Sequence, residues 1–390
     1  MQTVKKLVQE AKKKHSFDQQ QKEEIIEVKS DSSKCESETG FTVDAFSYGD
    51  VPGCTGYILS HFHYDHYNGL TKHFTNPIYC SQITANLVLS RIKLKEEFVH
   101  PIPMNTPCLI DNIEITMLEA NHCPGSVLIL FRLPSGRVIL HTGDFRADKS
   151  MEDYPEFKGV KFSQLYLDTT YCNPTYDFPP QKEVIDFAVD LVKKELARNP
   201  KTLIVCGSYT IGKERIFIAI AQALGCKICV YKDKQNVMSC LDDSDLFQKL
   251  SLDFNDSQLH VLQLGKLNPK GLGIHMSNLK TKYSNVIALE PTGWSYGKIN
   301  SLQEIKPKYN RDGIKIFGIP YSEHSSYLEM KQFVQFIKPE RIIPTVNNGN
   351  PKARKKMEDI FKSWFQELQQ GQGQQAKVTV KQSSISTWFA

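Results

Sequence analysis

Residues 60–69 read Ser-His-Phe-His-Tyr-Asp-His-Tyr-Asn-Gly. His61, His63, Asp65 and His66 fall within six positions, directly after the apolar run Tyr57-Ile58-Leu59. Such a density of ionisable groups at the end of a buried strand has a chemical reason if the groups hold cations. Strand side chains alternate faces, so His61 and His63, two apart, point the same way. Asp65 and His66 follow in the turn and can face a second cation nearby. Imidazole suits zinc, and carboxylate accepts zinc, manganese or magnesium. Two cations about 3.5–4 Å apart clamp the attacking and leaving oxygens of a hydrolysis, and make hydroxide available near neutral pH.

Four side chains do not complete two sites. Two further candidates stand at strand ends downstream: His122 in Glu119-Ala-Asn-His-Cys-Pro-Gly-Ser126, and Asp144 in Ile139-Leu-His-Thr-Gly-Asp-Phe-Arg146. A single carboxylate such as Asp144 can bridge both cations. Asp44, in Phe41-Thr-Val-Asp-Ala-Phe46, is suited to orienting the ligand loop by hydrogen bonding. A histidine standing alone is ordinarily a satisfied core or surface residue, and His100, His141 and His260 are read so.

The chain has 390 residues, 40% hydrophobic and 23% charged, which fits a soluble globular protein of two domains, or one large α/β domain with an insertion. It contains no apolar run of 18 residues, so no membrane span is expected, and its N-terminus lacks the apolar core of a secretory signal. The formal charge of +5 permits a polyanionic partner without requiring one. Ten scattered cysteines read as reduced thiols, and Cys226-Lys-Ile-Cys229 lacks the second pair that a zinc site needs.

Short β-rich runs alternate with turns through residues 41–145, including a hairpin turn over Leu133–Arg137. The pattern then changes. Residues 181–199 carry helical periodicity, with Val184, Ile185, Ala188, Leu191, Val192 and Leu196 on one face. Strand–loop–helix units follow, the mark of an α/β layer. Strands return near residue 311, and the Gln/Gly-rich stretch after Leu368 reads as a flexible linker.

Taken together, His-x-His-x-Asp-His, a lone histidine after one strand and Gly-Asp after another resemble the metallo-β-lactamase fold. Leu165-Tyr-Leu-Asp-Thr-Thr-Tyr171, Val205-Cys-Gly-Ser-Tyr-Thr-Ile-Gly-Lys-Glu214, Ile319-Pro-Tyr-Ser-Glu-His-Ser-Ser326 and Ile342-Ile-Pro-Thr-Val346 extend the likeness. They resemble the β-CASP nucleases, specifically the DNA cross-link repair exonucleases related to Artemis and Apollo. The resemblance covers roughly residues 38–365. It implies an α/β fold: a metallo-β-lactamase αββα sandwich with an inserted β-CASP α/β domain. The expected divisions are a tail over 1–37, the first lactamase part over 38–172, the insertion over 173–310, the second lactamase part over 311–368, and a linker over 369–390.

The resemblance further implies a nuclear, monomeric 5′-to-3′ exonuclease acting on single- and double-stranded DNA with a 5′-phosphate. In it His61, His63 and His122 hold a first Zn2+, Asp65 and His66 hold a second Zn2+, Mg2+ or Mn2+, and Asp144 bridges. Asp168 and His324 match the first two β-CASP motifs. A phosphodiester leaves as an alkoxide and needs a proton, which a histidine positioned by a carboxylate can donate. At the third motif stands Val346, where RNA-processing relatives carry histidine. Valine cannot ligate, which weakens the second metal's hold and favours DNA over RNA. Tyr64, between His63 and Asp65, replaces a residue that is usually small in this family.

Two further stretches suggest partners. Ser208, Tyr209, Thr210 and Lys213 lie between a strand and a helix start and are expected to form a 5′-phosphate pocket. Tyr171 and Trp294 are candidates to stack on bases. Near the C-terminus, Gln382, Ile385, Trp388 and Phe389 have the spacing of a sliding-clamp-binding peptide.

Overall fold

The computed structural model describes residues 39–280, 283–293 and 301–383. Three sheets organise it. The first is parallel, with strands in the order β1 (Phe41–Val43), β2 (Gly56–Ile58), β3 (Ile78–Cys80) and β4 (Val99–Pro101). The second has six strands: β17 (Arg341–Pro344), β9 (Gln164–Leu167), β8 (Val138–His141), β7 (Val127–Arg132), β6 (Ile113–Glu119) and β5 (Cys108–Ile110). The alternation of its sequence decides what each face covers. Ile115, Met117, Ile129, Phe131 and Ile139 meet Phe41 and Ile58 of the first sheet. Their neighbours Leu118, Leu128, Leu130, Leu140 and Leu165 face the helices α8 (Tyr327–Ile337) and α9 (Pro351–Ser383) through Phe333, Val334, Phe361 and Trp364. Tyr57 and Leu59 point the other way, onto α2 (Gln82–Leu87). The result is helix, sheet, sheet, helix. Each fully buried Leu, Ile or Val contributes about 1.5–3 kcal/mol to holding these layers together.

Between β9 and β17 the chain builds a third sheet, in the order β12 (Leu250–Ser251), β11 (Ile228–Cys229), β13 (Leu259–Gln263), β10 (Thr202–Ser208), β14 (Asn285–Pro291), β16 (Ile314–Ile319) and β15 (Tyr309–Arg311). Its two central strands are apolar without a break through Leu203–Cys206 and Val286–Leu289, because both faces are covered there. Ile204, Cys206, Ile287 and Leu289 face α3 (Gln181–Arg198) and α4 (Glu214–Leu224), while Leu203, Val205, Val286 and Ala288 face α7 (Pro269–Ser277). The shorter helices are α1 (Tyr64–Tyr67), α5 (Lys232–Met238) and α6 (Ser244–Gln248).

Two boundaries differ from expectation. The strand at Ile314–Ile319, assigned from sequence to the returning lactamase part, pairs with β14 along its whole length. Ile314 and Phe317 are buried in the cores on opposite faces of the third sheet, so the insertion extends through this strand. A run apolar at alternate positions does not say which of two sheets it joins. Likewise α9 continues to Ser383, through the Gln/Gly-rich stretch read as a linker. Gln, Lys and Ala extend an existing helix readily, and each glycine costs only about 1 kcal/mol. The tail over 1–37, Trp294, Ile385, Trp388 and Phe389 lie outside the described residues.

The strand directions position the site. Both β6 and β8 are antiparallel to β7, and β8, β9 and β17 are mutually parallel. Hence β6, β8, β9 and β17 all end at the same edge of the sheet, where His122, Asp144, Asp168 and Val346 follow them.

Candidate metal centre

Beyond β2 the chain stays extended through His63, which caps α1 with β-region dihedrals. This stretch is held against the second sheet, where Val127 N donates to Ser60 O at 3.1 Å. Gly143, just before Asp144, has φ +52°, and a Cβ there would lie 2.9 Å from Ser60 Cβ. A side chain at 143 would therefore push apart the two strand ends that bring His61 and Asp144 together.

The three histidines converge on one point. His61 Nε2 lies 2.9 Å from His63 Nδ1, and His122 Nε2 lies 3.0 Å from the same atom. Their outer nitrogens fix the tautomers, because a carbonyl can only accept. His63 Nε2–H donates to Ile211 O at 3.1 Å, and His122 Nδ1–H donates to Glu323 O at 2.8 Å. His61 Nδ1–H donates to Ser60 Oγ at 2.9 Å, whose own proton goes to Asp44 Oδ2 at 2.6 Å. Burial pushes all three imidazoles below the ordinary histidine pKa, so the rings are neutral. Three lone pairs then face one another without a proton between them, an arrangement that only a cation relieves. Zinc–nitrogen bonds of about 2.0–2.1 Å in a tetrahedral site put the donors about 3.3 Å apart, close to the spacing seen.

Asp144 Oδ2 stands between this group and the next. It is 3.8 Å from both His61 Nε2 and His122 Nε2, and 3.2 Å from His66 Nε2. Asp65 Oδ2 lies 3.8 Å from His66 Nε2, and the Asp65 side chain is more than half exposed. The second group thus consists of Asp65, His66 and Asp144 and is the more open. Asp44 braces it: Oδ1 accepts from Ser60 N at 2.8 Å, and Oδ2 accepts from His66 Nδ1 at 2.7 Å. Burial pushes the His66 imidazole down, but Asp144 and Asp44 outweigh it and hold the ring well above the ordinary value.

His324 closes the other side. Its Nδ1 lies 2.8 Å from Asp168 Oδ2, while Asp168 Oδ1 accepts from Thr170 N at 2.9 Å and from its hydroxyl. Its ring centroid is 4.8 Å from that of His122. Burial lowers the His324 pKa, but Asp168 first and Asp144 second outweigh it and raise it to about 9. Val346 sits beside this pair, with Thr169 Oγ1 donating to its carbonyl at 2.5 Å.

Residues 244–350 match the family described as DNA repair metallo-beta-lactamase. The DNA cross-link repair protein SNM1 of Arabidopsis thaliana is 47% identical over 330 residues, covering 84% of this chain and 68% of the relative. The chain belongs to the DNA cross-link repair metallo-β-lactamase family. Within it, the DNA cross-link repair 1A protein of Gallus gallus is 52% identical over 328 residues, 84% of this chain. The chain spans only 34% of that relative's length. The 5′ exonuclease Apollo of Gallus gallus is 31% identical over 309 residues, covering 79% of this chain and 62% of the relative.

Other expected site residues of this family member fall elsewhere. Ser208 is buried and its hydroxyl lies 3.0 Å from Gly212 O, while Lys213 is buried and pairs with Glu323 Oε2 at 2.8 Å. The amides at the start of α4 are also taken, Gly212 N by Glu214 Oε1 at 2.9 Å and Lys213 N by Glu323 Oε1 at 2.7 Å. The 5′-phosphate pocket expected here is thus filled by the chain's own carboxylates. Of that set only Tyr209 and Thr210 face solvent. Tyr171 is buried, packed edge-on to Phe178 and beside His324, so it is not an exposed stacking platform. Tyr64 is 69% exposed and leans edge-on against Tyr67.

Sequence reasoning missed Arg146 and Glu323. Arg146 is fully buried; Nε and Nη2 donate to Glu329, Nη1 to Ser322 O at 2.8 Å and Nη2 to Pro179 O at 2.9 Å. It fastens the loop after Asp144 to the segment carrying His324. Part of this was visible, since Ser326-x-x-Glu329 spells the capping box that starts α8. His141, read as a satisfied core residue, accepts from Gly143 N at 2.9 Å, but its buried Nε2 has no hydrogen-bond partner among the described residues.

Proposed function

We propose that this chain is a metal-dependent 5′-to-3′ DNA exonuclease of interstrand cross-link repair, acting in the nucleus on 5′-phosphorylated single- and double-stranded DNA. The observation that carries this reading is the convergence of the His61, His63 and His122 lone pairs beside Asp144, with the His324–Asp168 pair facing them. His61, His63 and His122 hold the first cation, Zn2+. Asp65 and His66 would hold a second, Zn2+, Mg2+ or Mn2+, with Asp144 available to both. Bound there, such cations would supply Lewis acidity toward a phosphodiester and would lower the pKa of a water toward neutrality.

The chain's own groups do the rest. Asp44 keeps His66 and the Ser60–His61 segment in register, an outer hydrogen-bonding role of the kind that supports metal ligands. His324, protonated through Asp168, gives its proton to the departing 3′ oxygen. Val346 contributes no ligand, so the second cation rests on Asp65, His66 and Asp144. Tyr209 and Thr210 are the groups of the 208–213 loop left to meet DNA. Gln382, Ile385, Trp388 and Phe389 are proposed to dock on a sliding clamp, which titration of a 378–390 peptide against the clamp tests.

The central test is digestion of 5′-phosphorylated DNA and RNA oligonucleotides of one sequence, with metal content measured on the same sample and Asp65→Ala in parallel. The expected result is stepwise release of 5′-mononucleotides from DNA, faster than from RNA, and its loss in the variant. A metal-free and inactive parent, or a preference for RNA, overturns the proposal.

A further inference from the structure

The three-histidine group donates two hydrogen bonds to backbone carbonyls of the inserted domain and the segment that leaves it. His63 Nε2 donates to Ile211 O, in the loop between β10 and α4. His122 Nδ1 donates to Glu323 O, in the segment that leaves β16. Both carbonyls fix a tautomer, so both determine which nitrogen faces the centre.

Those carbonyls are themselves joined through one carboxylate. Glu323 is 4% exposed. Its Oε1 accepts from Lys213 N at 2.7 Å, and its Oε2 pairs with Lys213 Nζ at 2.8 Å. Lys213 is only two residues beyond Ile211. It adopts φ +71°, a left-handed conformation that is uncommon for a residue with a side chain. Gly212 precedes it at φ +100°, where a Cβ would lie 2.9 Å from Glu323 Oε2. The turn is therefore moulded around the Glu323 carboxylate. Lys234 fills the loop's other side, reaching Ser208 Oγ, the Tyr209 and Thr210 carbonyls and Glu214 Oε1 at 2.7–3.2 Å.

We infer that Glu323 is a positioning residue for the metal centre: its carboxylate, by accepting from Lys213 N, holds the Ile211 carbonyl on His63 while its own carbonyl holds His122. The inserted domain thereby sets the affinity of a site whose ligands all belong to the sandwich. This rests on the reading of His61, His63 and His122 as zinc ligands. Outer partners of this kind typically change metal affinity 10–100-fold when removed. Glu323→Ala alone is a poor test, because it strands the buried Lys213 ammonium.

Two double variants avoid that. Lys213→Met with Glu323→Gln removes both charges but keeps an oxygen to accept from the residue 213 amide. Lys213→Met with Glu323→Leu removes both charges and the acceptor. Zinc affinity of the full chain is measured by competition with a chromophoric chelator, and the fold of each metal-free variant by circular dichroism. The glutamine variant is expected to bind zinc within about threefold of the parent, and the leucine variant about 10–100-fold more weakly, with both folded. Equal zinc affinity in the two, at whatever level, overturns the inference. So does loss of fold in the leucine variant, which would make Glu323 a general stability element. A parent that binds no zinc instead overturns the metal-site reading.

Discussion

Asp168→Asn isolates the charge that keeps His324 protonated. The imidazole is buried, which by itself lowers its pKa below the ordinary 6.5, yet it stands at about 9 because Asp168 and, less strongly, Asp144 face it. A rise from 6.5 to about 9 corresponds to about 3 kcal/mol, at about 1.4 kcal/mol per pH unit. Asparagine keeps the shape and an acceptor oxygen for Nδ1–H but removes the larger of the two opposing charges. The pKa should therefore fall by at least half of that rise. At pH 8 the protonated fraction then drops from about nine-tenths to about one-third or less. The assay is an NMR titration of the imidazole nitrogens in metal-free protein, parent and variant, from pH 5 to 10. Stability gives a second reading with a definite sign. His324 binds its proton more tightly folded than unfolded, so its contribution is full below pH 6.5 and is lost as pH rises through about 9. In metal-free parent, urea unfolding should show a loss of up to about 3 kcal/mol across that window, reduced in Asp168→Asn. A parent His324 that titrates near 6.5, or an unchanged pKa in the variant, would refute the reasoning.

Three further outcomes follow from the same geometry. With His324 proposed as the proton donor, His324→Ala should lower turnover about 100-fold or more while leaving DNA affinity within a few-fold; equal losses in turnover and in a binding titration would count against that role. Zinc at a thousand times its dissociation constant should stabilise the metal-free protein by about 4 kcal/mol, seen as a rise in melting temperature that replacing His61 by Ala abolishes. Gly143→Ala should cost about 1–3 kcal/mol in urea unfolding, since φ +52° and the contact with Ser60 both oppose a side chain there; a loss below about 0.5 kcal/mol would mean that the loop relaxes freely.

The residues that converge in the candidate metal centre were legible because their chemistry is local. An i, i+2 pair of histidines at a strand end needs no knowledge of the rest of the chain, and neither does Gly-Asp after an apolar run. Alternation along β6, β7 and β8 likewise fixes two faces before any partner is known. The helix at Gln181–Arg198 stands where its periodicity puts it. The strand at Ile314–Ile319 was misassigned for a related reason: its pattern records that its faces are buried, not which sheet buries them.

By itself the sequence determined the chemical inventory of this protein: the histidines and carboxylates that converge, the His324–Asp168 pair, and the family its motifs resemble. Only the tertiary structure decided how that inventory is held. His63 and Ile211 are 148 residues apart, and His122 and Glu323 are 201 apart. Hydrogen bonds across such separations leave no local pattern, because the accepting atom is a backbone carbonyl that every residue possesses. The same holds for Lys213, which by sequence looked like a free cation at a helix start. Its partner Glu323 lies 110 residues away, and only the packing of the inserted sheet against the sandwich turns that lysine inward.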